Sequence, residues 1–132
     1  MKERTQTLAG LSVLVAEDEY LVVREVRRLL TRAGCADVQI AGNLADAERL
    51  ARDGQFDAAL LDIKLGEHDV YALAETLDRA GVPVIFVTGY ATELVPDHLA
   101  HLPMIQKPFP RKRLLETLEQ VALGSPGYGN AR

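Results

Sequence analysis

The sequence predicts an α/β fold: a doubly wound parallel sheet of five strands in a (βα)5 arrangement, with strand order 2-1-3-4-5. Three observations carry the prediction. Short apolar runs alternate with amphipathic stretches of helical spacing along the chain, the pattern of βαβ units. The runs are apolar at consecutive positions, as strands covered on both faces require. Several end on charged or hydroxyl residues at their carboxyl side, where open α/β sheets place their ligands.

Leu11 to Ala16 is the first predicted strand. Tyr20 to Ala33 follows as the first helix, with Val22, Val26, Leu29 and Ala33 at helical spacing before Gly34 ends it. Val38 to Ala41 is a weak second strand. Asn43 caps a second helix that runs through Arg52 with Leu44, Ala47, Leu50 and Ala51 on its apolar face, and Gly54 stops it. Asp57 to Ile63 is the third strand, central because both its faces are apolar. A third helix runs from about Val70 to Ala80 and closes at Gly81, after which Pro83 to Thr88 forms a fourth strand rich in β-branched and aromatic residues. Ala91 to Leu102 has helical composition, but Pro96 lacks an amide donor and clashes with the preceding turn, so the fourth helix is expected to be short or irregular. Met104 to Gln106 is a short fifth strand. Pro110 suits the first turn of the last helix, whose apolar face is Leu114, Leu118, Val121 and Ala122 and whose end is Gly124.

A chain of 132 residues has room for one domain with its own core. Residues 11–123 form that domain by this reading, with a flexible N-terminal segment over 1–10, a flexible tail over 124–132 and no output domain. Hydrophobic content of 48% and charged content of 26% are ordinary globular values, which favour neither disorder nor a fibrous repeat. A net charge of -4 argues against nucleic acid as a partner. The single cysteine, Cys35, excludes an internal disulfide and a thiolate metal site and fits a reducing compartment. The apolar run from Leu11 to Ala16 is too short for a signal core or a membrane span, so the expected location is cytoplasmic, with no membrane partner.

In the flavodoxin-like order 2-1-3-4-5 the switch point lies between the first and third strands, which sets Glu17 and Asp18 across from Asp62. Carboxylates gathered this closely repel one another, and the physical remedies are a raised pKa or a hard divalent cation held through oxygen. Mg2+ suits a site that supplies few carboxylates and leaves room for water and a phosphate. Asp62 as a nucleophile toward phosphorus would give an acyl phosphate, and Thr88 and Lys107 supply a hydroxyl and an ammonium for the phosphoryl oxygens. Each residue alone is ordinary, as a helix cap, a β-former or a solvated lysine. Their joint position at the ends of correctly ordered strands is not.

On these residues the chain resembles a receiver domain of two-component response regulators, over about Ser12 to Leu123. The matching features are Glu17-Asp18, Asp62 within Leu60 to Leu65, Thr88 in Val87-Thr88-Gly89, and Lys107 in Lys107-Pro108-Phe109. The resemblance implies that Asp62 is the phosphoacceptor, assisted by Thr88 and Lys107. It implies Mg2+ held by Asp18, Asp62 and the backbone carbonyl of Lys64, with Glu17 acting through water, and a cis peptide at Lys107-Pro108. It further implies a stand-alone regulator that is not an enzyme, takes its phosphoryl group from a sensor histidine kinase or histidine phosphotransfer protein, and signals in trans to a downstream protein as a monomer or weak dimer. The other reading within the family is a degenerate receiver that binds partners without carrying phosphate.

Receivers often carry an aromatic switch residue three positions before the lysine, where this chain has Met104. Tyr90 is the candidate replacement, either a gate over the site or a plain loop aromatic, and Phe86-Val87-Thr88-Gly89-Tyr90 resembles the FATGUY subgroup of stand-alone receivers. Arg111-Lys112-Arg113 sets three positive charges against the helix dipole, as a partner surface or a solvated face. His68, His98 and His101 do not have metal-ligand spacing. A phosphatase of the haloacid dehalogenase type or a metal-dependent nuclease would need a second aspartate two residues past Asp62, where Lys64 stands. A nucleotide-binding fold would need a glycine-rich turn where Glu17-Asp18-Glu19 stands.

Overall fold

The structure, a computed structural model, describes residues 8–89 and 95–123. The expectations for Tyr90, for the first residues of the fourth helix, for Gly124 and for the remainder of the two ends lie outside the described residues. Among the described residues, seven strands and four α-helices follow in the order β1 (Ser12–Ala16), α1 (Tyr20–Arg32), β2 (Asp37–Ala41), α2 (Leu44–Asp53), β3 (Ala58–Asp62), β4 (Lys64–Leu65), β5 (His68–Asp69), α3 (Tyr71–Arg79), β6 (Val84–Thr88), β7 (Met104–Gln106) and α4 (Arg111–Ala122). The main sheet is β2-β1-β3-β6-β7 with every pairing parallel, which is the expected order 2-1-3-4-5.

Successive residues of the central strands face opposite layers, and both layers are apolar. Leu14, Ala16, Ala59, Leu61, Val84 and Phe86 pack with Ala47 of α2 and Leu73, Ala74 and Leu77 of α3 on one side. Val13, Val15, Leu60, Ile85, Val87 and Ile105 pack with Val26, Leu29 and Leu30 of α1 and Leu114, Leu118 and Val121 of α4 on the other. All five residues of β3 and of β6 are buried, as the unbroken apolar runs predicted. The rings of Tyr71 and Phe86 meet at right angles, with centroids 6.0 Å apart and planes at 89°.

Helix ends follow local chemistry. Gly34 (φ 101°) and Gly81 (φ 84°) take the left-handed conformation that closes α1 and α3. Their amides and those of Cys35 and Val82 return to carbonyls of the last turns, with Cys35 bonded to Leu30 at 3.1 Å and Val82 to Leu77 at 2.9 Å. Asn43 caps α2 by accepting the Asp46 amide at 2.8 Å. Pro110 stands at the N-cap of α4, one position earlier than the sequence reading set it.

Two features differ from expectation. Leu8 is fully buried, its amide donates to Ala33 O at 3.0 Å, and Gly10 donates to Gly34 O at 2.9 Å, so Leu8 is part of the packed core. The two-residue antiparallel pair β4–β5 just after β3 was not anticipated; Gly66, at φ 62°, lies in its turn. In the region expected to be a short or broken helix, the described residues form only a 3-10 turn at Asp97–Leu99 after Pro96. Leu99 seals it to the core.

Asn43→Ala removes one side-chain acceptor from the start of α2 and leaves the core untouched. It is expected to lower unfolding stability by about 1 kcal/mol in urea titrations, with an unchanged dependence on denaturant.

Candidate functional site

The site is assembled at the carboxyl edge of the sheet. Asp62 is the last residue of β3, Thr88 the last of β6, Glu17 and Asp18 follow β1, and Lys107 follows β7. Parallel pairing aligns these ends, with Ala16 opposite Leu61 and Asp62 opposite Val87. The Lys107 amide donates to Thr88 O at 2.7 Å, which carries the β6–β7 ladder one residue past the strand and fixes where the lysine leaves the sheet. The Lys107-Pro108 peptide is cis, as the resemblance implied.

The Lys107 ammonium stands among three carboxylates: Glu19 Oε1 at 2.6 Å, Glu17 Oε1 at 3.0 Å and Asp62 Oδ2 at 3.2 Å. Glu17 and Asp62 are buried, and their acidity is tolerable there because that ammonium reaches both. Oxygens of Glu17, Asp18 and Asp62 lie within 4.8 Å of one another. Asp18 is exposed and accepts the Gly66 amide at 3.0 Å, which ties the β1–α1 loop to the turn between β4 and β5. Glu17 Oε2 accepts the Glu19 amide at 3.0 Å.

Burial, and then the negative charge of Glu17, push the Asp62 carboxyl up to about 7, against the opposing pull of Lys107. Burial also works against the ammonium of Lys107, yet hydrogen bonds to Glu19 and Glu17 and the charge of Asp62 outweigh it and raise its pKa above the ordinary lysine value. Burial and Glu17 therefore outweigh Lys107 at Asp62, and its charged form is disfavoured. An all-oxygen set with more acid than one ammonium can neutralise fits a hard divalent cation such as Mg2+.

The acids open onto a cleft of about 800 Å3 whose lining includes Asp18, Asp62, Lys64, Thr88, Gly89 and Lys107. Every site residue expected from the sequence thus lies at one edge: Asp62, Thr88, Lys107, Asp18, Glu17 and Lys64. Sequence reasoning missed two. Glu19 holds the shortest contact to Lys107, and the only signal for it was its place third in the acidic run. Gly66 donates its amide to Asp18 from a turn with no distinct sequence signature. Met104 is half-buried against the core, and Cys35 is half-buried with a thiol pKa raised by burial and by the charge of Asp57, so it is a poor nucleophile. His98 and His101 face Glu75 at 3.5 Å and Asp78 at 3.0 Å. The basic residues opening α4 are exposed, with Arg111 3.8 Å from Glu25.

Relatives carry the same fold. Sensory transduction protein LytR of Streptococcus mutans is 29% identical over 119 residues, which is 84% of this chain and 48% of that protein. The chain spans about half the length of the curated relatives it matches. SdrG from Sphingomonas melonis Fr1, solved in solution, superposes with a TM-score of 0.71 at 29% identity, covering 83% of this chain and 93% of that one. A CheY-like response regulator receiver domain protein from Methanospirillum hungatei JF-1 gives a TM-score of 0.76 at 25% identity over 89% of this chain and 97% of that one. The family model for the response regulator receiver domain matches residues 13–119. That stretch opens inside β1 and closes inside α4, so every described strand and helix takes part, and the chain belongs to the receiver domain family of two-component response regulators.

Proposed function

We propose that the chain accepts a phosphoryl group on Asp62 from the phosphohistidine of a sensor histidine kinase or a histidine phosphotransfer protein, and passes the signal to a separate protein partner in the cytoplasm. The observation that supports this most is the Asp62 carboxylate at the floor of an open cleft, 3.2 Å from the Lys107 ammonium and among further acids. A carboxylate oxygen of Asp62 attacks phosphorus, the P–N bond to the donor imidazole breaks, and the departing ring keeps the electron pair and takes up a proton. An acyl phosphate remains on Asp62.

Lys107 offers its charge to one phosphoryl oxygen, and the Thr88 hydroxyl donates to another. Asp18, Asp62 and the Lys64 carbonyl would hold Mg2+, with Glu17 acting through water. Bound Mg2+ neutralises the carboxylates and the incoming phosphoryl oxygens together. Thr88 also lines a second hollow of about 370 Å3, with Met104, Ile105, Gln106, Phe109, Pro110 and Arg113. A change at the Thr88 hydroxyl is therefore felt on the face formed by β7 and the start of α4, and this face is the proposed output surface. Within the family, the FATGUY subgroup is the proposed placement, resting on Phe86 to Tyr90.

Incubation with Mg2+ and acetyl phosphate is expected to add a single phosphoryl group by intact mass spectrometry, and Asp62→Asn to abolish it. The absence of an adduct with every donor would instead make the chain a degenerate interaction module. The charge balance at Asp62 also fixes two pH effects. Between its ordinary value of 3.8 and about 7, the folded chain keeps a proton on Asp62 that the unfolded chain has released, so this group makes stability fall as pH rises through that window. In metal-free urea titrations Asp62→Asn should gain about 1–2 kcal/mol over wild type at pH 8, after discounting for solvent at the cleft, and nothing at or below about pH 4. Because Mg2+ needs the ionised carboxylate, calorimetric Mg2+ affinity should be about tenfold weaker at pH 6 than at pH 8, and this difference should vanish in Asp62→Asn.

A further inference from the structure

We propose that Glu19 is a latch on Lys107: in the unmodified protein it occupies an N–H that a phosphoryl group on Asp62 needs, and it yields when that group arrives. The inference rests on Asp62 being the phosphoacceptor. An ammonium has three N–H donors, and Lys107 faces three carboxylates, those of Glu17, Glu19 and Asp62. No N–H is left over for a phosphoryl oxygen until one of them lets go. Burial decides which. The Glu17 side chain is 4% exposed, and losing its cation would strand a buried charge. Asp62 bears the incoming group and stays beside the lysine whatever happens. The Glu19 side chain is 61% exposed, so water takes the place of Lys107 at little cost.

Local chemistry at Glu19 points the same way. The residue stands at the N-cap of α1 with extended backbone (φ -92°, ψ 117°), yet its carboxylate makes no capping bond to the helix. Its amide is instead anchored to Glu17 Oε2 at 3.0 Å, and its side chain is committed across the cleft mouth to a residue 88 positions away. Glu19 is thus a positioning residue: it sets where the ammonium rests before reaction and how readily it turns to phosphate.

Charge and tether can be separated by two variants. Glu19→Gln removes the charge. Glu19→Asp keeps it, shortens the reach by one methylene and favours capping of α1 in place of Lys107. The probe is beryllofluoride with Mg2+, followed by 19F resonance, together with the 15Nζ resonance of Lys107 in the unmodified protein. Both variants are expected to move the Lys107 resonance and to tighten beryllofluoride binding about two- to fivefold, the range of an exposed ion pair. Wild-type affinity in Glu19→Asp, with tighter binding only in Glu19→Gln, would reduce Glu19 to a distant field and overturn the latch. An unmoved Lys107 resonance in both variants would overturn it too. If wild type binds no beryllofluoride at all, the phosphoacceptor reading itself fails, and the latch with it.

Discussion

One ammonium holds the carboxyl edge of this sheet together. Glu17 and Asp62 come from different strand ends and are both buried, and two carboxylates so placed cannot stay ionised without a cation between them. Lys107 meets that need from the far side of the sheet, delivered by β7, and its backbone is pinned by the 2.7 Å bond to Thr88 O. The short strand Met104–Gln106 thereby gains a purpose beyond packing: it is the arm that brings the lysine back to the acids. The sheet order makes this possible, since β1 and β3 are neighbours and β7 lies two strands from β3.

The fold was legible because buried parallel strands leave an unmistakable mark. Val84 to Val87 and Ala58 to Leu61 are apolar without alternation, and burial on both faces is what that pattern encodes. Helix ends were equally plain where glycine supplies a left-handed residue or asparagine supplies a cap. Features set by tertiary contact were not. Leu8 has no apolar run or helical spacing to mark it, and only tertiary packing in the cluster that holds Ala33 makes it core. The β4–β5 pair spans two residues a side, below the length at which periodicity carries information. The site splits the same way: Asp62, Thr88 and Lys107 stand out because polar residues end apolar runs, whereas Glu19 stands at the N-cap of α1 and owes its role to a partner 88 positions distant.

Thr88 joins two regions that the sheet otherwise keeps apart. Its side chain is buried, it closes β6, and it lines both the acidic cleft and the hollow beside Met104 and Phe109. Close-packed strands on either side leave little room for graded deformation, so a changed partner at this hydroxyl favours one discrete arrangement of its surroundings over another. In the proposed function that is the step by which chemistry at Asp62 becomes a change of surface. Met104 fills part of this region as a flexible, half-buried side chain, where an aromatic ring would have presented a stiffer lever.

The acidic cleft is also a place where the molecule gives up stability. Asp62 is held well above its ordinary pKa because burial and Glu17 disfavour its charge more than Lys107 favours it. Two fully apolar layers supply the surplus that tolerates this, and the cost is confined to the strand ends. In the proposed function this strain favours ligands: a cation or a cation-bound phosphoryl group would bind in proportion to the repulsion it removes. A better balanced edge, with a second buried ammonium, would be more stable without its ligands. In the proposed function such an edge would also have less reason to bind a cation or a phosphoryl group, so the imbalance at Asp62 would serve that role.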